Sequence, residues 1–93
     1  MDKDATYTVE LSDDADKALS KMDPFQRKLI VSWIDDKLKD CTDPRRHGKG
    51  LSGNLSGRWR YRIGDYRVLA KIFDDKVLIL VLDIGHRREI YRR

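Results

Sequence analysis

Arg58-Trp59-Arg60-Tyr61-Arg62-Ile63-Gly64-Asp65-Tyr66-Arg67 alternates arginine with apolar residues on either side of a Gly-Asp pair. A period of two is the signature of a β-strand with one core face and one solvated face. Gly64-Asp65 reads as a two-residue hairpin loop, so Trp59, Tyr61 and Ile63 share a face with Tyr66, Val68 and Ala70, toward the helices. The opposite face carries Arg58, Arg60, Arg62, Arg67 and Lys71, with Arg62 opposite Arg67 and Arg58 opposite Lys71. Like charges directly opposite each other destabilise a sheet. The fold gains nothing from them, so an anion is expected over this face, and polyphosphate backbone is the commonest such partner.

Downstream of the hairpin, residues 66–73 and 76–85 read as two further strands joined at Asp74-Asp75, and Val77-Leu78-Ile79-Leu80-Val81-Leu82 is an unbroken apolar run suited to an interior strand. Leu69, Leu78, Leu80 and Leu82 are expected on the arginine face, which makes it a partly apolar, cation-rimmed surface. Upstream, residues 41–57 are rich in Gly, Pro, Ser, Asn and Asp and read as a loop pinned by Leu51 and Leu55. Gly48-Lys49-Gly50 lacks the Walker spacing and is not a phosphate loop.

The N-terminal half supplies helices. Tyr7-Thr8-Val9-Glu10-Leu11 alternates as a short first strand. Ser12 caps a helix with Asp13, Asp14 and Asp16 in its first turn and Ala15, Ala18, Leu19 and Met22 as its buried stripe. Asp23-Pro24 starts a second helix through about residue 40, whose apolar face is Phe25, Leu29, Ile30, Trp33, Ile34 and Leu38. The expectation is one α+β domain over residues 1–93, in the order β-α-α-β-β-β, with a helical hairpin packed on one face of a four-stranded sheet.

Composition narrows the functional classes. The 93 residues carry a net charge of +4, divided unevenly: residues 1–43 hold seven Lys/Arg and eleven Asp/Glu, residues 44–93 thirteen and five. The basic half is therefore expected to hold the anion-binding surface and the acidic half the scaffold. Cys41 is the sole cysteine, which excludes an internal disulfide and suits a half-buried structural thiol in a reducing cytoplasm. No apolar run approaches the roughly 18 to 20 residues that span a bilayer, and Met1-Asp2-Lys3-Asp4 lacks the basic-then-apolar order of a signal peptide. A soluble cytoplasmic protein is expected.

Gly85-His86-Arg87-Arg88-Glu89-Ile90-Tyr91-Arg92-Arg93 adds an imidazole, a phenol and four guanidiniums beside the same sheet. Cleavage of RNA by its own 2′-hydroxyl needs a base for that oxygen, positive charge for the phosphorane and an acid for the leaving 5′-oxygen. Arginine meets the second need and, being permanently protonated, not the first. His86 and Tyr91 are the proton-transfer candidates, although His86 reads equally as a surface or capping histidine. His47, beside Arg45 and Arg46, reads as solvated, and two isolated histidines make no zinc site.

The order β-α-α-β-β-β, the stretch Leu51–Arg67 and the ending Gly85-His86-Arg87-Arg88-Glu89-Ile90-Tyr91 closely resemble the RelE branch of the RelE/ParE toxin superfamily. The resemblance covers nearly the whole chain. It implies a bacterial or archaeal type II toxin, an endoribonuclease that cuts messenger RNA in the ribosomal A site without a metal or other cofactor. It also implies contact with ribosomal RNA and silencing by a RelB-like acidic antitoxin in a hetero-oligomeric complex. By position, Arg60 and Arg62 match the family's paired basic residues on the second strand, Arg67 its phosphate-binding arginine, Arg87 the arginine after the last strand and Tyr91 the base-stacking tyrosine. Arg58, Lys71, Arg88 and Arg92 extend the RNA-binding surface. The departure is Arg60, since a lysine there could serve as base where arginine cannot; His86 could take that role.

Two other readings compete. A ParE-type toxin binds DNA gyrase and needs no clustered arginine and tyrosine on this face. A non-catalytic nucleic-acid-binding module would use the cations without the proton carriers.

Overall fold

In the computed structural model, which describes residues 5–86, β1 (Thr8–Leu11) leads directly into the helical hairpin. Ser12 is the N-cap of α1 (Asp13–Ser20): its Oγ accepts the Ala15 N–H at 3.1 Å, and the three aspartates lie in the first turn as the dipole favours. Asp23 caps α2 (Pro24–Lys37) by accepting the N–H groups of Phe25 and Gln26 at 3.1 and 3.4 Å, with Pro24 at a position that has no intrahelical donor to lose. The helix stops at Leu38, short of residue 40. There the Ile34 carbonyl takes the N–H of both Leu38 and Lys39, and Asp40 turns to φ +62°. None of the described helices is long and apolar enough to cross a membrane.

Only part of the expected α2 stripe is buried. Ile30, Ile34 and Leu38 are at most 5% exposed, whereas Phe25 and Leu29 are 68% and 48% exposed. These two form a separate i,i+4 row on the helix surface, and the row the sheet covers is Ile30-Ile34-Leu38. Trp33 lies between them, half-buried, its ring 5.7 Å from that of Tyr61.

The sheet has five strands in the order β1-β5-β4-β3-β2. Strands β3 (Trp59–Ile63), β4 (Tyr66–Phe73) and β5 (Leu78–His86) form the expected meander, and β1 pairs parallel to β5. The fifth strand, β2 (Lys49–Gly50), falls in the stretch that reads as loop and pairs antiparallel with β3. Gly48 makes this possible: it sits at φ +83°, where a Cβ would stand 2.2 Å from the Arg60 carbonyl oxygen.

Strand β5 contains a bulge. Ala70 pairs with Val81, but Leu69 pairs with Asp83, leaving Leu82 as the extra residue. Alternation therefore changes phase, and Ile79, Val81 and Ile84 all enter the core. The N-cap of α1 is bonded to this point: Ser12 donates through its N–H to the Val81 carbonyl at 2.9 Å and through its hydroxyl to the Leu82 carbonyl at 2.6 Å.

The loop from Cys41 to Arg58 is held by polar ties. Tyr61, fully buried, donates its hydroxyl to the Pro44 carbonyl at 2.6 Å, and burial pushes its phenol far above the ordinary range. Trp59 Nε1 donates to the His47 carbonyl at 2.7 Å. His47 itself is half-buried, with its ring edge-on to Trp33 at 5.8 Å, so the solvated reading is corrected: the indole gives the imidazole an apolar wall. Arg45 grips Asp74 through both oxygens at 2.9 Å, and Tyr7 donates to the same carboxylate at 2.6 Å, which ties loop, β1 and the β4–β5 turn together. Cys41, half-buried just beyond α2, has its thiol pushed up by burial.

Candidate nucleic-acid interface

Cross-strand register sorts the outer face into rows, since directly paired residues share a face. One row runs Lys49, Arg60, Leu69, Asp83; the next runs Arg62, Arg67, Gly85; a third pairs Lys71 with Leu80. Two like-charged pairs thus stand side by side, Lys49 opposite Arg60 and Arg62 opposite Arg67. The second is the pair the alternation demanded. The first depends on β2, and Lys49 is a cation of this face that periodicity could not reveal.

Arg58 does not stand opposite Lys71. The β3–β4 ladder ends at the Trp59–Ala70 pair. Arg58 instead donates its N–H to the Leu55 carbonyl and accepts the Leu51 N–H, at 3.1 and 3.0 Å, within the connection from β2 to β3 that holds the 3₁₀ turn Gly53–Leu55 and the positive φ of Gly57. Arg62 and Lys71 are exposed, and Arg60 and Arg67 are half-buried. Leu69 is 8% exposed, and Leu78, Leu80 and Leu82 are half-buried. The Nε of Arg60 is buried and has no hydrogen-bond partner among the described residues. A buried guanidinium N–H left without an acceptor is costly, and an incoming phosphate oxygen would satisfy it. At the far end of β4, the Nζ atoms of Lys71 and Lys76 lie 5.2 and 5.4 Å from the centre of the Phe73 ring.

The bulge reassigns the end of β5. His86 pairs with Tyr66, whose ring meets the imidazole edge-on at 5.9 Å, and Tyr66 packs against the core. His86 therefore belongs to the helix-facing side, where it lines a cavity of about 600 Å³ with Lys17, Lys21 and Tyr66. Asp83 takes the place on the arginine face, 7% exposed, with its Oδ1 accepting the Ile84 N–H at 2.9 Å. Arg87, Arg88, Tyr91 and Arg92 lie outside the described residues.

Residues 9–91 match the family model described as the ParE toxin of the type II toxin-antitoxin system parDE. Toxin RelG of Mycobacterium tuberculosis is 33% identical over 88 residues, which span 94% of this chain and 98% of that protein. The chain belongs to the RelE/ParE family of type II toxins. A chain of the crystal structure of the RelBE2 toxin-antitoxin complex from the same organism is 31% identical to this RelE-type toxin. It superposes with a TM-score of 0.81 over 96% of this chain and 100% of that one. The isolated RelE toxin of Escherichia coli shares the fold, with a TM-score of 0.70 at 22% identity over 91% of this chain and 90% of its own.

Proposed function

We propose that this toxin is a ribosome-dependent endoribonuclease that inhibits translation by cutting messenger RNA in the A site. The observation that carries the reading is the pair of like-charged cross-strand couples, Lys49 with Arg60 and Arg62 with Arg67, beside a buried Arg60 Nε that lacks an acceptor among the described residues. Such an arrangement costs the free protein stability and is offset when phosphate arrives.

In the reaction, the 2′-oxygen of one nucleotide attacks the adjacent phosphorus, the P–O5′ bond breaks, and a 2′,3′-cyclic phosphate and a 5′-hydroxyl result. The attacking oxygen loses a proton and the leaving oxygen gains one. Arg60, Arg62 and Arg67 grip the non-bridging oxygens and neutralise charge that grows in the phosphorane. No metal is invoked. Arg87 continues the phosphate contact and Tyr91 stacks on a base, while Arg58, Lys71, Arg88 and Arg92, with Lys49, hold neighbouring messenger and ribosomal RNA. The placement of His86 on the helix-facing side weighs against it as base and leaves electrostatic stabilisation as the larger source of rate. A RelB-like acidic antitoxin is the partner in the resting cell, a role supported by the antitoxin complex formed by the mycobacterial relative.

The ParE description of the matching family favours a second reading, a gyrase-directed toxin. One experiment separates the two. Purified toxin is added to a reconstituted translation system and to a gyrase supercoiling assay. Ribosome-dependent messenger cuts that Arg67→Ala abolishes support the nuclease, whereas intact messenger with blocked supercoiling overturns it.

A further inference from the structure

Asp83 is the only charged residue buried among the described residues, and it lies on the most cationic face of the molecule. The bulge puts it there. Without the extra Leu82, position 83 would continue the inward series of Ile79 and Val81; with it, Asp83 stands opposite Leu69 on the outer face. Its cross-strand partner Leu69 is 8% exposed and its chain neighbour Leu82 half-buried. A carboxylate removed from water is costly unless hydrogen-bond donors and a nearby cation compensate it.

Register names the cation within reach. Arg67 pairs with Gly85 and Leu69 with Asp83, so Arg67 and Asp83 are diagonal neighbours on adjacent strands. Diagonal pairs stand about 7 to 8 Å apart, a gap that a long side chain closes. Arg60 shares the row of Asp83 but sits two strands away, beyond Leu69. The Ile84 N–H fixes the orientation of the carboxylate from below. On the reading of this face as the scissile-phosphate site, we infer that Asp83 is a positioning residue that acts through Arg67, a buried counter-charge that sets its guanidinium for the phosphate.

A carboxylate beneath a polyanion site lowers the attraction for RNA, so its removal has two opposed effects. Long-range electrostatics favour tighter RNA binding by a neutral variant, whereas loss of orientation slows the chemical step. Asp83→Asn retains an oxygen for the Ile84 N–H and loses the charge. The measurement is single-turnover cleavage of ribosome-bound messenger by the full chain, carried through wild type, Asp83→Asn, Arg67→Ala and the double variant. Asp83→Asn is expected to lower the rate about tenfold with equal or tighter half-saturation. The double variant is expected within about threefold of Arg67→Ala alone, since the two residues act as one unit. Asp83→Glu, which keeps the charge, is expected to recover part of the rate, and thermal melting identifies any variant that fails to fold. If Asp83→Asn does not fold, Asp83→Ser, which also offers an oxygen to Ile84, takes its place in the cycle. Wild-type rate in the neutral variant, or losses that multiply in the double variant, would overturn the role. If the wild-type toxin cleaves nothing, the nuclease reading falls separately. The same cycle read on affinity for a single-stranded RNA oligonucleotide then decides the role: a smaller loss from Arg67→Ala in the Asp83→Asn background upholds it, and equal losses overturn it.

Discussion

Arg62 and Arg67, paired across the hairpin, show a residue-level conflict between stability and binding. Replacing Arg62 by threonine removes the repulsion and places a β-branched residue in a strand. It should raise stability of the free toxin by about 0.5 kcal/mol at low salt, read by denaturant unfolding, while RNA affinity falls. An increase in RNA affinity would contradict the assignment of this face. Gly48 is under the opposite constraint. With φ +83° and a Cβ position 2.2 Å from the Arg60 carbonyl, Gly48→Ala must push β2 away from β3. A loss of roughly 2 to 4 kcal/mol is expected in the same unfolding measurement, because strain and lost pairing add. Gly64, with φ +58° and open space around its Cβ position, carries only the conformational part of that penalty.

The joint between α1 and β5 governs the site at the level of elements. Ser12 Oγ accepts the Ala15 N–H and donates to the Leu82 carbonyl, so one hydroxyl both starts the helix and satisfies the bulge. Ser12→Ala should cost about 1 to 2 kcal/mol, and hydrogen exchange should quicken both in the first turn of α1 and around residues 81–84. Quickening confined to the helix would mean that the bulge holds itself. The second joint is the Arg45–Asp74–Tyr7 clasp. The Arg45 guanidinium first, then the Tyr7 hydroxyl, holds the Asp74 carboxyl below the ordinary carboxylate range. In the unfolded chain that carboxyl binds its proton at higher pH, so the clasp stabilises fully above the carboxylate range and is lost as pH falls through the folded value. Asp74 is half exposed, which keeps the effect small. Acid unfolding of Asp74→Asn should therefore begin from lower stability at neutral pH and show a shallower decline below about pH 4 than wild type.

Charge is divided across the whole molecule, with the acidic half in the helical hairpin and the basic half in the sheet. The outer face gathers Lys49, Arg60, Arg62, Arg67 and Lys71 on one side of one sheet. Binding to single-stranded RNA should weaken linearly on a log–log salt plot, and removal of one contacting cation, as in Arg62→Ala, should reduce the slope by about 0.7. An unchanged slope would place Arg62 outside the contact.

By itself the sequence determined the elements with strong local signals: both helix caps at Ser12 and Asp23, the Gly64-Asp65 hairpin with its Arg62–Arg67 pair, the parity of β3, and the family. Apart from the family, which rests on a resemblance along nearly the whole chain, each is encoded within a few residues, by a capping side chain, a turn dipeptide or an alternation that only one pairing satisfies. Tertiary structure alone decided the rest. Strand β2 is two residues long and has no period to read, so Lys49 joined the cations only through pairing. Phe25 and Leu29 look as buried as Ile30 and Ile34 until the sheet covers one row and leaves the other. The bulge at Leu82 closes an apolar run where both faces of the strand are hydrophobic, and the one mark of the phase change is Asp83, a carboxylate at a position that unbroken alternation would send into the core. That single extra residue turned Asp83 to the arginine face and His86 to the helices, because in a strand one residue of slip exchanges the two faces.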